Sequence, residues 1–193
     1  MKKVLLIAIL ILGFTHLYSS DKARGMFLTL GLGPKVPIGD FSSRVLLGYG
    51  FELEMCYTDN EYIPMFLFGR IGFMQFPGSH EFYQASDYSN YATNLLPLEI
   101  GARYFAPPIL ENIILILPIL EVSGSLAIYQ NLHEFKIGTN RNNYIEDGSK
   151  LGFCLGAGVS MFLIEAVASY HWYEDNQYLS FDLKLRLPMF VSL

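Results

Sequence analysis

The chain has 193 residues, of which 52% are hydrophobic, 15% are aromatic and only 16% are charged. This length suits one domain, but soluble domains usually have about a quarter of their residues charged, so the composition argues against an ordinary soluble surface. The formal net charge of −5 argues against a nucleic-acid partner, because nucleic-acid binding calls for a basic face.

The N-terminal segment has the layout of a secretory signal. Two lysines precede the apolar run Val4 to Phe14, and polar and small residues follow up to Ser20. We therefore predict a signal peptide over residues 1–20 and one domain over residues 21–193. An uncleaved membrane anchor is the alternative for the first segment.

The apolar runs beyond the first segment are too short for membrane helices, which need about 20 residues. The run from Ile113 to Leu120, for example, contains Pro118. A closed β-barrel is the other structure that satisfies every backbone amide inside lipid.

Alternation of apolar and polar residues with a period of two predicts β-strands in this chain. The last segment shows it most clearly, because the odd positions from Leu179 to Leu193 are all apolar. The pattern recurs over residues 26–33, 45–57, 63–76, 96–104, 118–129, 151–160, 164–172 and 179–193. We predict an all-β, antiparallel, up-and-down transmembrane barrel of about eight strands. The turn near Leu163 is inferred only because the inward-facing positions change from even to odd numbers between Ser160 and Glu165. The predicted strand count depends on this turn.

The connections between these segments alternate in length, as they do in transmembrane barrels. Four are predicted to lie outside the cell: Lys35 to Ser43, Pro77 to Asn94, Gln130 to Ser149 and Tyr173 to Gln177. Shorter turns are predicted on the opposite side, at residues 58–62 and 161–163. The connection from Ala106 to Leu117 is long and apolar, and a short helix at the membrane interface is expected there.

Residues 26 to 193 resemble the small outer-membrane β-barrel proteins of Gram-negative bacteria, the class that includes the membrane domain of OmpA. Gly31 to Phe41 is similar to the first strand and loop of such barrels, and Leu95 to Tyr104 to a middle strand with an early proline. The final strand resembles the signal read by the barrel-assembly machinery. The resemblance implies a bacterial outer-membrane location, with that machinery and outer-membrane lipid as partners.

The polar faces of the predicted strands carry isolated charges of both signs. The residues predicted to face inward are Glu52, Glu54, Arg70, Glu99, Arg103, Glu121, Glu165, Asp182, Lys184 and Arg186. The interior of an eight-stranded barrel is just wide enough for side chains, and buried charges must pair because an unpaired charge is costly. We therefore predict an ion-paired lumen, with a polar path for a small solute as the alternative.

The predicted external loops offer candidate contacts for an extracellular or envelope protein partner. These are Tyr83, Tyr88, Tyr91, Asn143 and Tyr144.

Residue spacing indicates no catalytic, metal or cofactor site. Ser169 and His171 share the inward face near Glu174 and Asp175, but Tyr173 occupies the position where the lipid A deacylases have their serine. The cysteines lack zinc-ligand spacing, and we interpret them as small packed side chains. A non-enzymatic barrel is therefore predicted, serving envelope structure, surface interaction or secretion as an accessory. The alternatives are a narrow channel for small or hydrophobic solutes, a lipid A-modifying enzyme and a soluble lipocalin-like carrier.

Overall fold

The computed structural model describes residues 24–59, 63–109 and 115–192. The predicted signal peptide, residues 1–20, lies outside the described residues, and so do residues 110–114 of the expected interfacial helix. Among the residues that the structure describes, no helix is both long and apolar enough to cross a membrane.

Eight antiparallel strands form one closed barrel, in which each strand pairs with its neighbour in the chain and β1 pairs with β8. The strands are β1 (Arg24–Pro37), β2 (Gly48–Asp59), β3 (Ile63–Pro77), β4 (Tyr88–Phe105), β5 (Ile116–Phe135), β6 (Tyr144–Met161), β7 (Ile164–Tyr173) and β8 (Tyr178–Ser192). The predicted fold class and strand number are confirmed. Closure pairs both edges of the sheet, which an open sheet would leave unpaired.

The turn between β6 and β7 contains only Phe162 and Leu163. Phe162 adopts a φ of +56°, in the left-handed region that usually favours Gly, Asn or Asp. Because a phenylalanine occupies this position, only the reversal of inward parity between Ser160 and Glu165 marks the turn.

The two long predicted external loops are the most wrong in extent. Residues 88–94 belong to β4, residues 130–135 to β5 and residues 144–149 to β6, so the three strands form a tall hairpin region. The ladder continues there, with Tyr91 opposite His133 and His133 opposite Tyr144. Strands that rise above the lipid meet water on their outer face, so they do not need the apolar alternation that marks the rest of the barrel.

We call the end of the barrel that carries the β1–β2, β3–β4, β5–β6 and β7–β8 connections the distal end, and the opposite end the terminal end. A 3-10 helix (Gly39–Ser43) and a short helix, α1 (His80–Ala85), lie in the first two distal connections. Val45, predicted as part of the second strand, instead forms an isolated bridge with Gly78 and is buried. The distal lumen is filled by a cluster that we call the aromatic plug: Phe41, Phe76, Tyr91, Tyr173 and Tyr178.

Candidate functional site: the ion-paired lumen

The structure places all ten of the charged residues expected to face inward inside the lumen, where each is buried. Strand register puts opposite charges side by side at the centre of this group. Arg70 on β3 lies directly between Glu54 on β2 and Glu99 on β4. On the next pair of strands, Arg103 of β4 faces Glu121 of β5.

Arg70 binds carboxylates from three other strands. Its Nη2 donates to Glu54 Oε2 at 2.7 Å and to Glu121 Oε1 at 3.0 Å, and its Nη1 donates to Glu99 Oε2 at 3.0 Å. The guanidinium also lies over the ring of Phe68, 4.7 Å from its centroid. A planar guanidinium with several N–H groups suits this role, because it can satisfy several carboxylates at once.

Arg103 also binds carboxylates from three other strands. Its Nη2 donates to Glu54 Oε2 and to Glu121 Oε2, both at 2.8 Å, and its Nη1 donates to Glu165 Oε2 at 3.3 Å. Glu54, Glu121 and Glu165 come from β2, β5 and β7 respectively. The two arginines share Glu54 and Glu121, so the central charges form one network rather than separate pairs.

The remaining cations complete the network towards both ends. Lys184 Nζ lies 2.6 Å from Glu52 Oε1, and Arg186 pairs with Glu165 towards the terminal end. Lys35 pairs with Asp182 nearer the distal end. The sequence analysis had assigned Lys35 to the first loop, but β1 extends to Pro37. Lys35 therefore points into the lumen, on the same face of β1 as Gly31 and Gly33.

Glycines opposite the carboxylates provide the space that the network needs. A Cβ atom on Gly31 would lie 2.7 Å from Glu52 Cγ, and one on Gly156 would lie 2.6 Å from Glu121 Cγ. Since real Cβ atoms do not approach other atoms so closely, any larger residue at either position would displace a carboxylate from its partners.

His171 lies beside the network, with neighbours that the sequence did not indicate. Its Nε2 lies 3.2 Å from Ser180 Oγ and its Nδ1 lies 3.3 Å from Glu99 Oε1. Ser169, the expected neighbour, instead donates to Glu121 Oε1 at 3.3 Å. Ser180 is completely buried, and the ring of Tyr178 stacks on His171 with centroids 4.4 Å apart. The serine, histidine and carboxylate are therefore sealed inside the packed lumen, out of reach of a lipid substrate.

Glu174 and Asp175, the acids considered with Ser169 and His171, lie in the exposed β7–β8 connection. Both cysteines are free and buried, as small packed side chains would be: Cys56 faces the lumen from β2 and Cys154 from β6.

The five candidate contact residues lie at the distal end, around a histidine that the sequence analysis did not single out. The Tyr144 ring stacks on His133 with centroids 4.3 Å apart, and Tyr88 Oη lies 3.1 Å from His133 Nδ1. Tyr83 Oη donates to the backbone oxygen of Tyr91 at 3.0 Å and so attaches α1 to β4.

Asn143 and Tyr144 are exposed, and Tyr83 and Tyr88 are half-buried. Tyr91 is buried in the aromatic plug, so its prediction as a loop contact is wrong. The cause is the extension of β4, which turns this residue inward.

The outside of the barrel is apolar on every strand. We call this surface the apolar belt and define it by one exposed member from each strand in turn: Leu30, Leu53, Ile71, Ile100, Val122, Leu155, Ile164 and Leu183. A soluble lipocalin-like barrel would direct such side chains inward and its charges outward. The observed arrangement is the reverse, and it is the arrangement of a barrel surrounded by lipid.

A closed barrel with an even number of strands, an apolar belt and a polar lumen defines the class of small outer-membrane β-barrel proteins. No protein-family model and no curated protein sequence matches the chain. Among solved structures, the chain is similar to Neisserial surface protein A (NspA), with 12% identity and a TM-score of 0.55 over 86% of this chain and 99% of that one. It is also similar to Ail, the attachment invasion locus protein of Yersinia pestis, with 15% identity and a TM-score of 0.48 over 86% and 99% of the two chains.

At such low identity the likeness to NspA is a likeness of fold. It agrees with the strand number, the closure and the apolar belt observed here. The protein is therefore an outer-membrane β-barrel in architecture, and its apolar belt requires a surrounding lipid bilayer.

Proposed function

We propose that the protein is a non-conducting, non-enzymatic barrel that holds its distal hairpins at the cell surface for contact with a partner. Residues 1–20 act as an export signal, residues 21–193 form the barrel domain, and β8 is read by the barrel-assembly machinery. Surface contact is favoured over a purely structural role in the envelope or a secretion accessory, because β4, β5 and β6 extend beyond the lipid.

The observation that carries the non-conducting part of this proposal is the position of the two central arginines. Arg103 contacts carboxylates from β2, β5 and β7, and Arg70 reaches Glu121 across the lumen from β3. Direct hydrogen bonds join side chains from β2, β3, β4, β5 and β7, and side chains in such contact leave no space between them for a hydrated solute. The aromatic plug adds a second closure above the ion pairs.

We expect the purified barrel to produce no steady conductance in a planar lipid bilayer. The double variant Glu54→Ala/Arg70→Ala removes one charge of each sign from the centre of the lumen and should produce channel openings, because it removes two interacting side chains without changing the net charge. Stable conductance of the unaltered protein would favour the alternative of a narrow solute channel.

The observation that supports surface contact is the distal hairpin of β5 and β6. Ile137 at its tip is fully exposed, and Tyr144 on the same hairpin is exposed beside the stacked His133. Nothing in the barrel requires an apolar side chain at this tip, whereas a partner would bury it.

A photoreactive residue in place of Ile137 should form discrete protein adducts when intact cells of the native host are irradiated. The matched control is the same residue at Leu151 on the lipid-facing surface, where adducts should be with lipid only. If position 137 gave no protein adduct while the barrel was present at the surface, the envelope-structure role would replace surface contact.

A further inference from the structure

Three potential metal ligands from different strands meet in the lumen. Glu99 on β4, Cys154 on β6 and His171 on β7 are all buried, and one ligand atom from each lies within 4.8 Å of the other two. His171 Nε2 is 3.8 Å from Cys154 Sγ, and His171 Nδ1 is 3.3 Å from Glu99 Oε1. Residues 99, 154 and 171 are too far apart in the sequence to show any metal-binding spacing.

Three polar atoms in and beside this cluster have no hydrogen bond of good geometry within the protein. Glu99 Oε1 and His171 Nδ1 are buried and lie 3.3 Å apart, close enough for an ion pair but without a hydrogen bond of good geometry. Tyr178 Oη, on the residue stacked against His171, is also buried without a hydrogen bond. Buried polar atoms are nearly always hydrogen-bonded, and a cation held by these side chains would satisfy the atoms that have no well-formed hydrogen bond.

The charge balance of the lumen leaves room for one further positive charge. Among the buried side chains of the described residues, the carboxylates are Glu52, Glu54, Glu99, Glu121, Glu165 and Asp182. The buried lysines and arginines are Lys35, Arg70, Arg103, Lys184 and Arg186, one fewer than the carboxylates. One additional positive charge beside Glu99 would balance the set.

We propose that Glu99, Cys154 and His171 form a buried site for a divalent cation of the Zn²⁺ type. A thiolate, an imidazole and a carboxylate are the ligands that Zn²⁺ takes in proteins, whereas Ca²⁺ and Mg²⁺ prefer oxygen ligands throughout. Bond lengths of about 2.0–2.3 Å place tetrahedral ligand atoms about 3–4 Å apart, so ligand atoms that lie within 4.8 Å of one another would close by up to about 1 Å on binding a metal.

Binding of the divalent cation balances the charge of the lumen if the Cys154 thiol loses its proton to the solvent. The divalent cation and the Cys154 thiolate together carry one positive charge, which is the charge that the lumen lacks. A protonated His171 would supply the same charge without a metal. The experiment must therefore distinguish a bound metal from a protonated His171. The aromatic plug covers the cluster on the distal side, so the metal would enter while the barrel assembles.

The experiment is to refold the full chain from denaturant into detergent micelles with Zn²⁺ or Co²⁺ present, and then to remove loosely bound metal with a chelator and gel filtration. We expect one metal per barrel by elemental analysis, and an ultraviolet thiolate-to-cobalt charge-transfer band in the Co²⁺ sample. The metal should also raise the unfolding midpoint of the barrel, because only the folded state assembles the site.

Cys154→Ser and His171→Gln should each lose the bound metal and the charge-transfer band. Cys56→Ser is the matched control, since it removes the other buried thiol and should leave both unchanged. Folded barrels without stoichiometric metal, or with metal that survives Cys154→Ser, would overturn the proposal and favour the protonated histidine. If the Cys154 and His171 variants do not fold, the stoichiometry and midpoint of the unaltered and Cys56→Ser proteins still decide the question.

Discussion

Arg103→Met is expected to lower the free energy of unfolding by about 3–5 kcal/mol, the usual cost of removing one partner from a buried ion pair. Methionine keeps much of the side-chain volume but leaves Glu54, Glu121 and Glu165 facing each other with fewer cations. The measurement is the urea midpoint in micelles, followed by the migration difference between folded and heated barrels on a gel.

The control for this substitution is Arg24→Met at the terminal end. Arg24 Nε lies 2.9 Å from Asp59 Oδ2, but its side chain is half exposed, and such pairs contribute about 1 kcal/mol or less. Adding Glu121→Gln to Arg103→Met should recover part of the loss, because it removes a carboxylate that has lost a partner. Equal effects of Arg103→Met and Arg24→Met would contradict the ion-paired lumen.

Ile100→Lys is expected to destabilise the membrane-embedded barrel by about 2–4 kcal/mol, the cost of a lysine near the middle of the lipid. Ile100 points outward and is 80% exposed, so the loss would not come from disturbed core packing. It lies five residues from the terminal end of β4, which places it about 12 Å into a hydrocarbon layer about 25 Å thick. The measurement is the unfolding free energy in lipid bilayers.

Ile137→Lys is the matched control, because the side chain lies at a hairpin tip outside the lipid. Its effect should be within about 0.5 kcal/mol, as for other surface substitutions. A similar small effect at position 100 would mean that this face of the barrel meets water rather than lipid.

The barrel could be predicted from the sequence wherever one face of a strand meets lipid and the other meets the lumen. β8 is the clearest example: Phe181, Leu183 and Leu185 are exposed, while Asp182 and Lys184 are buried between them. The extensions of β4, β5 and β6 could not be predicted in this way, because alternation is weak above the lipid. The turn at Phe162 gave no turn signal in the sequence, because its left-handed backbone conformation is adopted by a phenylalanine.

The lumen charges could be predicted from parity alone, since each lies on the less apolar face of a recognisable strand. Their partners could not, because pairing depends on how the barrel closes. Glu121 and Arg70 are brought together from β5 and β3, and Cys154 and His171 meet on β6 and β7. The stacking of His133 could not be predicted either, because its strand was taken for a loop.

The arrangement of apolar outside and charged inside can be tested through Trp172, the single tryptophan of the chain. Trp172 points outward from β7, is 38% exposed and stacks on Phe153 with ring centroids 5.5 Å apart. It lies eight residues beyond the start of β7, about 20 Å towards the distal end, which places it near the distal headgroup level.

The measurement is the tryptophan fluorescence of the barrel refolded into bilayers of brominated lipids. Bromine atoms near the headgroups should quench Trp172 strongly, and bromine atoms near the midplane should quench it less. In a Trp172→Phe background, a tryptophan in place of the buried Tyr173 should resist quenching at both depths. Trp172 fluorescence that is insensitive to bromine at every depth would contradict a barrel whose apolar face meets lipid.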